Sequence, residues 1–580
     1  ASSREARWAR SVPEGHKEEE LTEKPHPTTF WTRLALCAAT PFLLWLSFPP
    51  ADLGLVAWVA LVPFYYYVAI EERRGRLVWM SLLSGFLYYL PSVQWIRYVS
   101  IPAWIGLAFY VALYVPLFSL LARLLIPRMG LRFYLGVPFV LVACERMKEW
   151  VITGFPWFEL GHTQHARLWL LQSVDLTGAL GLSWLVAFSN ALGAGLVVLV
   201  VEKGKAGLAD KKWWGAFAVF AALVIAAMVY GHWRVSTSEP PEGPEIALVQ
   251  GNLPQEVKEL ESDISREEWD RRMAAWFHRQ HKMTDRMLAN REQPPDLVVW
   301  AETMFPWPFY GVRGRDKYPP ATLKGNRRLD RQLFRRVREE WRTRFLTGAQ
   351  TSEFDFEKDR YWDYNSSYLL SSQGGWEGRY DKIRLVVLGE YVPMQDEWPW
   401  VDDLVKRASK LVAVPNLKRG TEMTVFRLGR DEWKFGTPIC FEIMFADACR
   451  GFANRGATFL VTLSNDGWFK DSEELEQILI VTKFRAVECR IGIVRATNTG
   501  VSAFVTPCGE AETLVGRDGE TKEFAGTMVR RVLLKDGETF YAKHGDLLGW
   551  GSQTLVLGLA GAVLALRLGR RLIRRRPAVG

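Results

Sequence analysis

Hydrophobic positions fall into two regimes along the chain. From residue 29 to 232 they form long runs broken by short polar stretches, and from 240 to 545 they alternate with polar residues on short periods. A bilayer core about 30 Å thick takes roughly 20 apolar residues per helix. Seven runs before residue 240 reach that length: 29–48, 52–70, 77–97, 101–126, 133–151, 178–201 and 213–232, with an eighth at 549–568. The fifth is the weakest, because Glu145, Arg146, Lys148 and Glu149 crowd its end. The pattern predicts an α-helical transmembrane bundle of about eight spans, seven of them within 29–235.

The second regime reads differently. Buried strands are expected at 245–250, 296–301, 345–350, 434–440, 457–463, 491–497 and 501–507. Amphipathic helices are expected at 264–290, 328–342, 443–454 and 472–490. Strands and helices in alternation predict a layered α/β domain over 240–545, large enough for one core.

Composition averages the two halves to 49% hydrophobic and 24% charged, which excludes a disordered chain. The net charge of +9 is concentrated in clusters. Arg73, Arg74 and Arg76 follow span two, Arg128 and Arg132 follow span four, Lys203, Lys205, Lys211 and Lys212 follow span six, and a basic tail follows span eight over 569–580. Eight spans put all four clusters on one side, so the basic excess sets topology and does not mark a nucleic-acid site. Both termini are then cytoplasmic and 240–545 lies outside the cytoplasm. Residues 1–28 are polar throughout and read as a disordered cytoplasmic arm, with no cleaved signal peptide. Six cysteines are too few for a disulfide framework, and whether any of Cys449, Cys489 and Cys508 pair is left open.

Candidate chemistry lies in the second half. Glu302 leaves the apolar strand that ends Trp300-Ala301, and strand C-terminal ends are where α/β folds place reactive groups. Lys382 follows a strand-like stretch, and Glu390 sits in the tight run Gly389-Glu390-Tyr391-Val392-Pro393. Cys440 stands between a strand and a helix, as a nucleophile on a sharp turn does. Taken singly, Glu302 and Lys382 read as surface charges and Cys440 equally as a core thiol. Together they supply a carboxylate base, a cation for a developing oxyanion and a thiol for attack on an acyl carbon. His278 and His281 lie three apart on a charged helix and read as a solvated face, with no third ligand nearby, so no metal or other cofactor is expected. The loop Gly154-Phe155-Pro156-Trp157-Phe158 reads first as an aromatic interfacial belt and second as a lipid-facing wall beneath the outer domain.

The order Trp300-x-Glu302, Tyr380-x-Lys382 with Gly389–Pro393, then Ile439-Cys440-Phe441-Glu442 resembles the nitrilase superfamily and its Glu-Lys-Cys triad. Five further segments (248–252, 154–157, 464–469, 484–488 and 495–500) and the seven-plus-one span layout resemble the membrane branch of that superfamily, the apolipoprotein N-acyltransferases. The resemblance implies a nitrilase-like α-β-β-α sandwich on a membrane bundle in the bacterial inner membrane. It implies acyl transfer from a phospholipid, often phosphatidylethanolamine, to a cysteine thioester, and then to the N-terminal amine of a diacylglyceryl-cysteine apolipoprotein. Glu302 is implied as base, Lys382 as oxyanion stabiliser and Cys440 as nucleophile, with Glu390 and Glu442 in support. Trp300, Trp468, Phe441, Asn252, Pro156 and Trp157 are implied near the substrates, and Trp398 and Trp400 in a mobile lid. A monomer is expected. The chain departs from the family pattern at Lys148, Ala301, Phe441 and Ile478, none of them in the triad. Two other functions compete: a membrane-anchored amidase using the same triad, and an inert membrane scaffold or binding module.

Overall fold

The computed structural model describes residues 29–127, 130–152, 154–255, 265–289, 291–312, 326–355, 357–392, 416–429 and 433–574. The arm at 1–28, the last six residues of the basic tail, and Trp398 and Trp400 with the expected lid lie outside the described residues.

Every predicted span coincides with helix. The helices are Phe30–Leu46, Ala57–Ala60 with Val62–Ile70, Arg74–Ser92, Ile101–Ala112 with Tyr114–Leu125, Leu131–Lys148, Ala179–Lys203, Lys211–Ser236 and Leu547–Arg574. Four stretches, 101–125, 179–209, 211–236 and 547–570, are long and apolar enough to cross a membrane by length and composition, and Phe30–Leu46 and Ala57–Ile70 are shorter apolar stretches. The predicted run 52–70 is not one helix. It begins at Ala57 and breaks at Leu61, because Pro63 stands in the first turn of the second piece and cannot donate backward. Buried Asn190 satisfies the break: its Oδ1 accepts from Leu61 N at 2.7 Å and its Nδ2 donates to Ala57 O at 2.9 Å.

Among the described residues the second half of the chain holds two sheets. The larger runs β13 (Gly526–Leu533), β1 (Glu242–Gln250), β2 (Leu297–Trp300), β4 (Arg344–Asp355), β5 (Arg360–Leu370), β6 (Trp376–Asp381), with β3 (Phe305–Val312) also on β4. The smaller runs β12 (Ala511–Thr513), β11 (Ala503–Val505), β10 (Gly492–Thr497), β9 (Phe459–Ser464), β8 (Lys434–Gly436), β7 (Phe426–Arg427). Strand side chains alternate faces, and the alternation builds the layers. Ile246, Leu248, Leu297 and Val299 point at the second sheet and share a core with Val461 and Ile493. Ala247, Val249, Val298 and Trp300 point the other way, onto Met273, Trp276 and Phe277 of helix Arg266–Ala289. Helices Ala446–Asn454 and Glu474–Cys489 cover the other side of the smaller sheet, so the order is α-β-β-α.

His281 corrects one expectation. It is not on a solvated face but buried between Phe277, Trp300 and Trp341, and burial pushes its imidazole down to about 3. Among the described residues no cluster could hold a metal ion, and all six cysteines are unpaired.

The sandwich is locked to the bundle by a buried charge cluster. Asp175, in the bundle, accepts from Arg490 Nε and Nη2 at 3.1 and 2.9 Å, from Arg234 Nε at 3.1 Å and from Tyr230 Oη at 2.8 Å. Arg490 is fully buried. Removing one partner of a buried pair strands the other charge, at a cost of about 3–5 kcal/mol. Asp175→Ala should therefore lower the thermal midpoint of the detergent-solubilised protein, and Asp175→Leu combined with Arg490→Met should recover part of the loss.

Candidate active site

The site assembles where strand ends from both sheets converge. Glu302 follows β2 by two residues, Lys382 follows β6 directly, Cys440 opens a 3-10 turn (Cys440–Met444) beyond β8, and Asn465 follows β9. The chain can place Glu302 there only because position 348 on β4 lacks a side chain. A Cβ on Gly348 would lie 2.6 Å from Glu302 Cα and 2.5 Å from Thr303 N. Cys440 has φ +52°, the left-handed region, which bends the backbone so that the thiol stands at the head of the turn.

Three charged side chains are held close. Lys382 is buried; its Nζ lies 2.9 Å from Glu390 Oε1 and 3.7 Å from Glu302 Oε1. Asn365 Nδ2 donates to both carboxylates, at 2.6 Å to Glu302 and 2.9 Å to Glu390. Asn465 N donates to Glu302 Oε2 at 2.7 Å, which ties the two sheets together at the base. Val386 N donates to Glu390 Oε2 at 2.8 Å. Glu302 is thus oriented at both oxygens from opposite sheets.

Glu442 has a different job. It is buried, and it accepts from Tyr380 Oη at 2.9 and 3.0 Å, from Ile383 N at 2.8 Å, from Arg384 N at 3.0 Å and from Ile439 N at 2.8 Å. Ile439 precedes the nucleophile, while Tyr380, Ile383 and Arg384 bracket Lys382. One carboxylate therefore sets the spacing between the turn that carries the thiol and the loop that carries the ammonium.

The electrostatics follow from burial and charge. Burial pushes the Cys440 thiol well above its ordinary value, Glu302 pushes it further and Lys382 pulls it back. A thiol held in this way would need a base to take its proton before it could attack. Burial alone would lower Lys382, but the Glu390 and Glu302 carboxylates hold it above the ordinary lysine value, so it stays an ammonium. Burial raises Glu442, against the amides that donate to it.

An aromatic wall from the bundle borders the nucleophile. Trp157 stacks on Phe441 with centroids 6.3 Å apart and planes 16° apart, and Phe155 stacks on Trp157 at 5.4 Å and 15°. Trp157 Nε1 donates to Gln477 Oε1 at 2.7 Å, and buried Lys148 Nζ donates to Trp157 O. Leu160 N donates to Glu145 Oε1 at 2.8 Å. Phe155, Pro156, Trp157 and Phe158 are all buried, so the loop is a wall packed under the sandwich and not an exposed interfacial belt.

Two families match: the apolipoprotein N-acyltransferase N-terminal domain over residues 41–192 and carbon-nitrogen hydrolase over 245–533. An apolipoprotein N-acyltransferase of Geobacter metallireducens is 30% identical over 542 residues, covering 91% of this chain and 94% of that one. The chain belongs to the apolipoprotein N-acyltransferase family. A second such relative, from Chlorobaculum tepidum, is 29% identical and covers 90% of this chain and 94% of its own. Among solved structures, a nitrilase-superfamily member of Saccharomyces cerevisiae is 16% identical with a TM-score of 0.33, covering 51% of this chain and 91% of that one. Family membership and the apolar helices make it a bacterial membrane protein.

Within this family member the structure groups Glu302, Lys382, Glu390, Cys440 and Glu442, with Phe441, Pro156 and Trp157 beside them. It does not bring Trp300 to the site. The alternation of β2 turns that ring to the helix layer, where it is fully buried and its Nε1 donates to Thr284 Oγ1 at 3.1 Å. Trp468 is half-buried in the turn that follows Asn465. Asn252 acts on the backbone: its N donates to Asn498 O at 3.0 Å and its Nδ2 to Glu523 O at 2.8 Å, with φ +51°. Asn365 was missed, although a run of polar residues (363–367) inside a strand is the signal that a buried face there is polar for a reason.

Two outcomes test the geometry. Lys382→Arg should lower the rate of Cys440 acylation by at least about 100-fold in a single-turnover assay, since a planar fork does not replace a compact ammonium between two carboxylates. Glu442→Gln should lower acylation and also stability, by about 2–3 kcal/mol, because an amide with one oxygen cannot accept from all four donors at once; loss of rate with unaltered thermal stability would contradict its bracing role.

Proposed function

We propose that this protein acylates lipoproteins by a two-step transfer through Cys440, with a phospholipid as donor and the N-terminal amine of a diacylglyceryl-cysteine apolipoprotein as acceptor. The observation that carries the reading is the stack of Phe441 on Trp157: the residue after the nucleophile packs on a ring from the membrane bundle. A soluble amide gains nothing from that wall, whereas an acyl chain needs an apolar surface beside the reacting carbon.

In the first step Glu302 takes the Cys440 proton as Sγ attacks the donor's ester carbonyl. The tetrahedral oxyanion forms beside the Lys382 ammonium and a backbone N–H of the 440–442 turn, where one such donor is worth about 3 kcal/mol. Collapse breaks the ester C–O bond, the glycerol oxygen takes the proton from Glu302, and lysophospholipid leaves. In the second step the acceptor amine attacks the thioester and Glu302 accepts the amine proton. The C–S bond breaks, the amide forms and the proton returns to the thiol. Asn365 and Asn465 keep Glu302 aimed through both halves, and Glu390 holds Lys382 charged. Phosphatidylethanolamine is the donor, and the protein works as a monomer in the inner membrane. All eight helical segments span, with both termini cytoplasmic and the sandwich outside.

Incubating the purified protein with phosphatidylethanolamine micelles should add one fatty-acyl mass to the intact protein, and hydroxylamine should remove it. Cys440→Ser should show no adduct and no transfer while keeping its thermal midpoint, because serine is a poor nucleophile without a histidine base. Full transfer by Cys440→Ser, or an adduct that resists hydroxylamine, would refute the thioester route.

A further inference from the structure

The rings beside the nucleophile continue outward. Trp95 tilts against Trp157 with centroids 5.1 Å apart, and Phe469 meets Trp95 edge-on at 4.8 Å. Trp95 belongs to the 3-10 turn Gln94–Tyr98, which joins helix Arg74–Ser92 to helix Ile101–Ala112 on the side facing the sandwich. Phe469 belongs to the loop between β9 and helix Glu474–Cys489.

Polar groups of both signs stand where this row ends. Gln94 Nε2 donates to Glu473 Oε1 at 3.0 Å. Residues three apart on a 3-10 helix eclipse, so Arg97 shares the face on which Gln94 meets Glu473. Arg97 is exposed, its guanidinium lies 5.1 Å from the Tyr98 ring centroid and its Nη2 donates to Tyr98 Oη at 3.3 Å. Lys470 Nζ stands 5.7 Å from the same ring. Among the described residues no carboxylate pairs with Arg97. The other nearby acids are engaged: Asp471 and Glu476 hold Lys522 at 2.7 and 2.8 Å. Tyr98 and Ile101 are exposed, as side chains at headgroup level are.

We propose that Arg97 and Glu473 form the headgroup subsite for a zwitterionic glycerophospholipid, the phosphate on Arg97 beside Lys470 and the primary ammonium on Glu473. A guanidinium matches phosphate oxygens in pairs, and a carboxylate about one helical turn away suits an ammonium a few bonds beyond the phosphate. The aromatic row then spans the stretch between the headgroup and the ester at Cys440. The inference rests on the proposed donor reading and adds the residues that hold the donor's headgroup. A diacylglyceryl-cysteine acceptor carries no phosphate, so the subsite acts in the first step alone.

The test uses the full-length protein in detergent micelles with three donors of one acyl chain: phosphatidylethanolamine, phosphatidylglycerol and a p-nitrophenyl ester without a headgroup. The readout is the rate of Cys440 acylation by intact mass. Arg97→Ala should lower the ratio of phosphatidylethanolamine rate to p-nitrophenyl ester rate about fivefold, the effect of roughly 1 kcal/mol at an exposed charge. Glu473→Gln should lower the ratio of phosphatidylethanolamine to phosphatidylglycerol about threefold. Unchanged ratios, or equal losses with every donor, would overturn the subsite. An unaltered protein acylated by the p-nitrophenyl ester but by neither phospholipid would overturn the donor reading itself.

Discussion

A lysine ammonium out of reach of water must be matched by negative charge, and the whole site is organised around meeting that demand for Lys382. Glu390 and Glu302 together carry one more negative charge than the lysine neutralises. Burial first, and the Glu302 charge after it, push the Cys440 thiol upward, and in the proposed reaction one of these carboxylates takes its proton. The same surplus would be ruinous if either acid could swing away, since a buried charge without its partner costs several kcal/mol. Asn365, Asn465 and the Val386 amide remove that freedom. Glu442 then spaces the loop and the turn, so the reactive distance depends on hydrogen bonds to the backbone and not on flexible side chains.

The fold places the machinery at one rim. β2 and β9 run parallel to their neighbours β1, β4, β8 and β10, so their C-terminal ends share an edge in each sheet. Sandwiching the sheets brings the two edges together, and the bond from Asn465 N to Glu302 crosses the seam. The membrane helices complete the site from below through Trp157, which Lys148 and Gln477 hold from opposite sides.

Much of this was legible because periodicity reports burial directly. All eight apolar segments became helix, and seven predicted strands met β1, β2, β4, β8, β9, β10 and β11 in order, because each fills both faces with apolar side chains or runs at the expected length. β3, β5, β7, β12 and β13 escaped that reading, and β6 was read only as the strand-like stretch before Lys382. β5 buries the polar Asn365, Ser366 and Ser367, and β13 lies at an edge with Arg530 and Arg531 exposed, so neither shows an apolar run. Glu302, Lys382 and Cys440, with Glu390 and Glu442 in support, could be read from residue order, whereas Asn365 could not. Asn365 precedes Lys382 by seventeen positions and joins it only through the pairing of β5 with β6. His281 misled because helix Arg266–Ala289 is charged on average, while one narrow face of it is aromatic core.

The pairing of β1 with β13 has a topological consequence. Glu242, six residues beyond helix Lys211–Ser236, lies opposite Leu533, which leads to helix Leu547–Arg574. The sandwich therefore leaves the bundle and returns to it through two adjacent antiparallel strands. To the helices it is one long loop with its ends already zipped, so inserting it adds little closure entropy. The strand pair is the clasp that closes this loop, and the Asp175–Arg490 and Trp157–Phe441 contacts then seat the sandwich on the bundle.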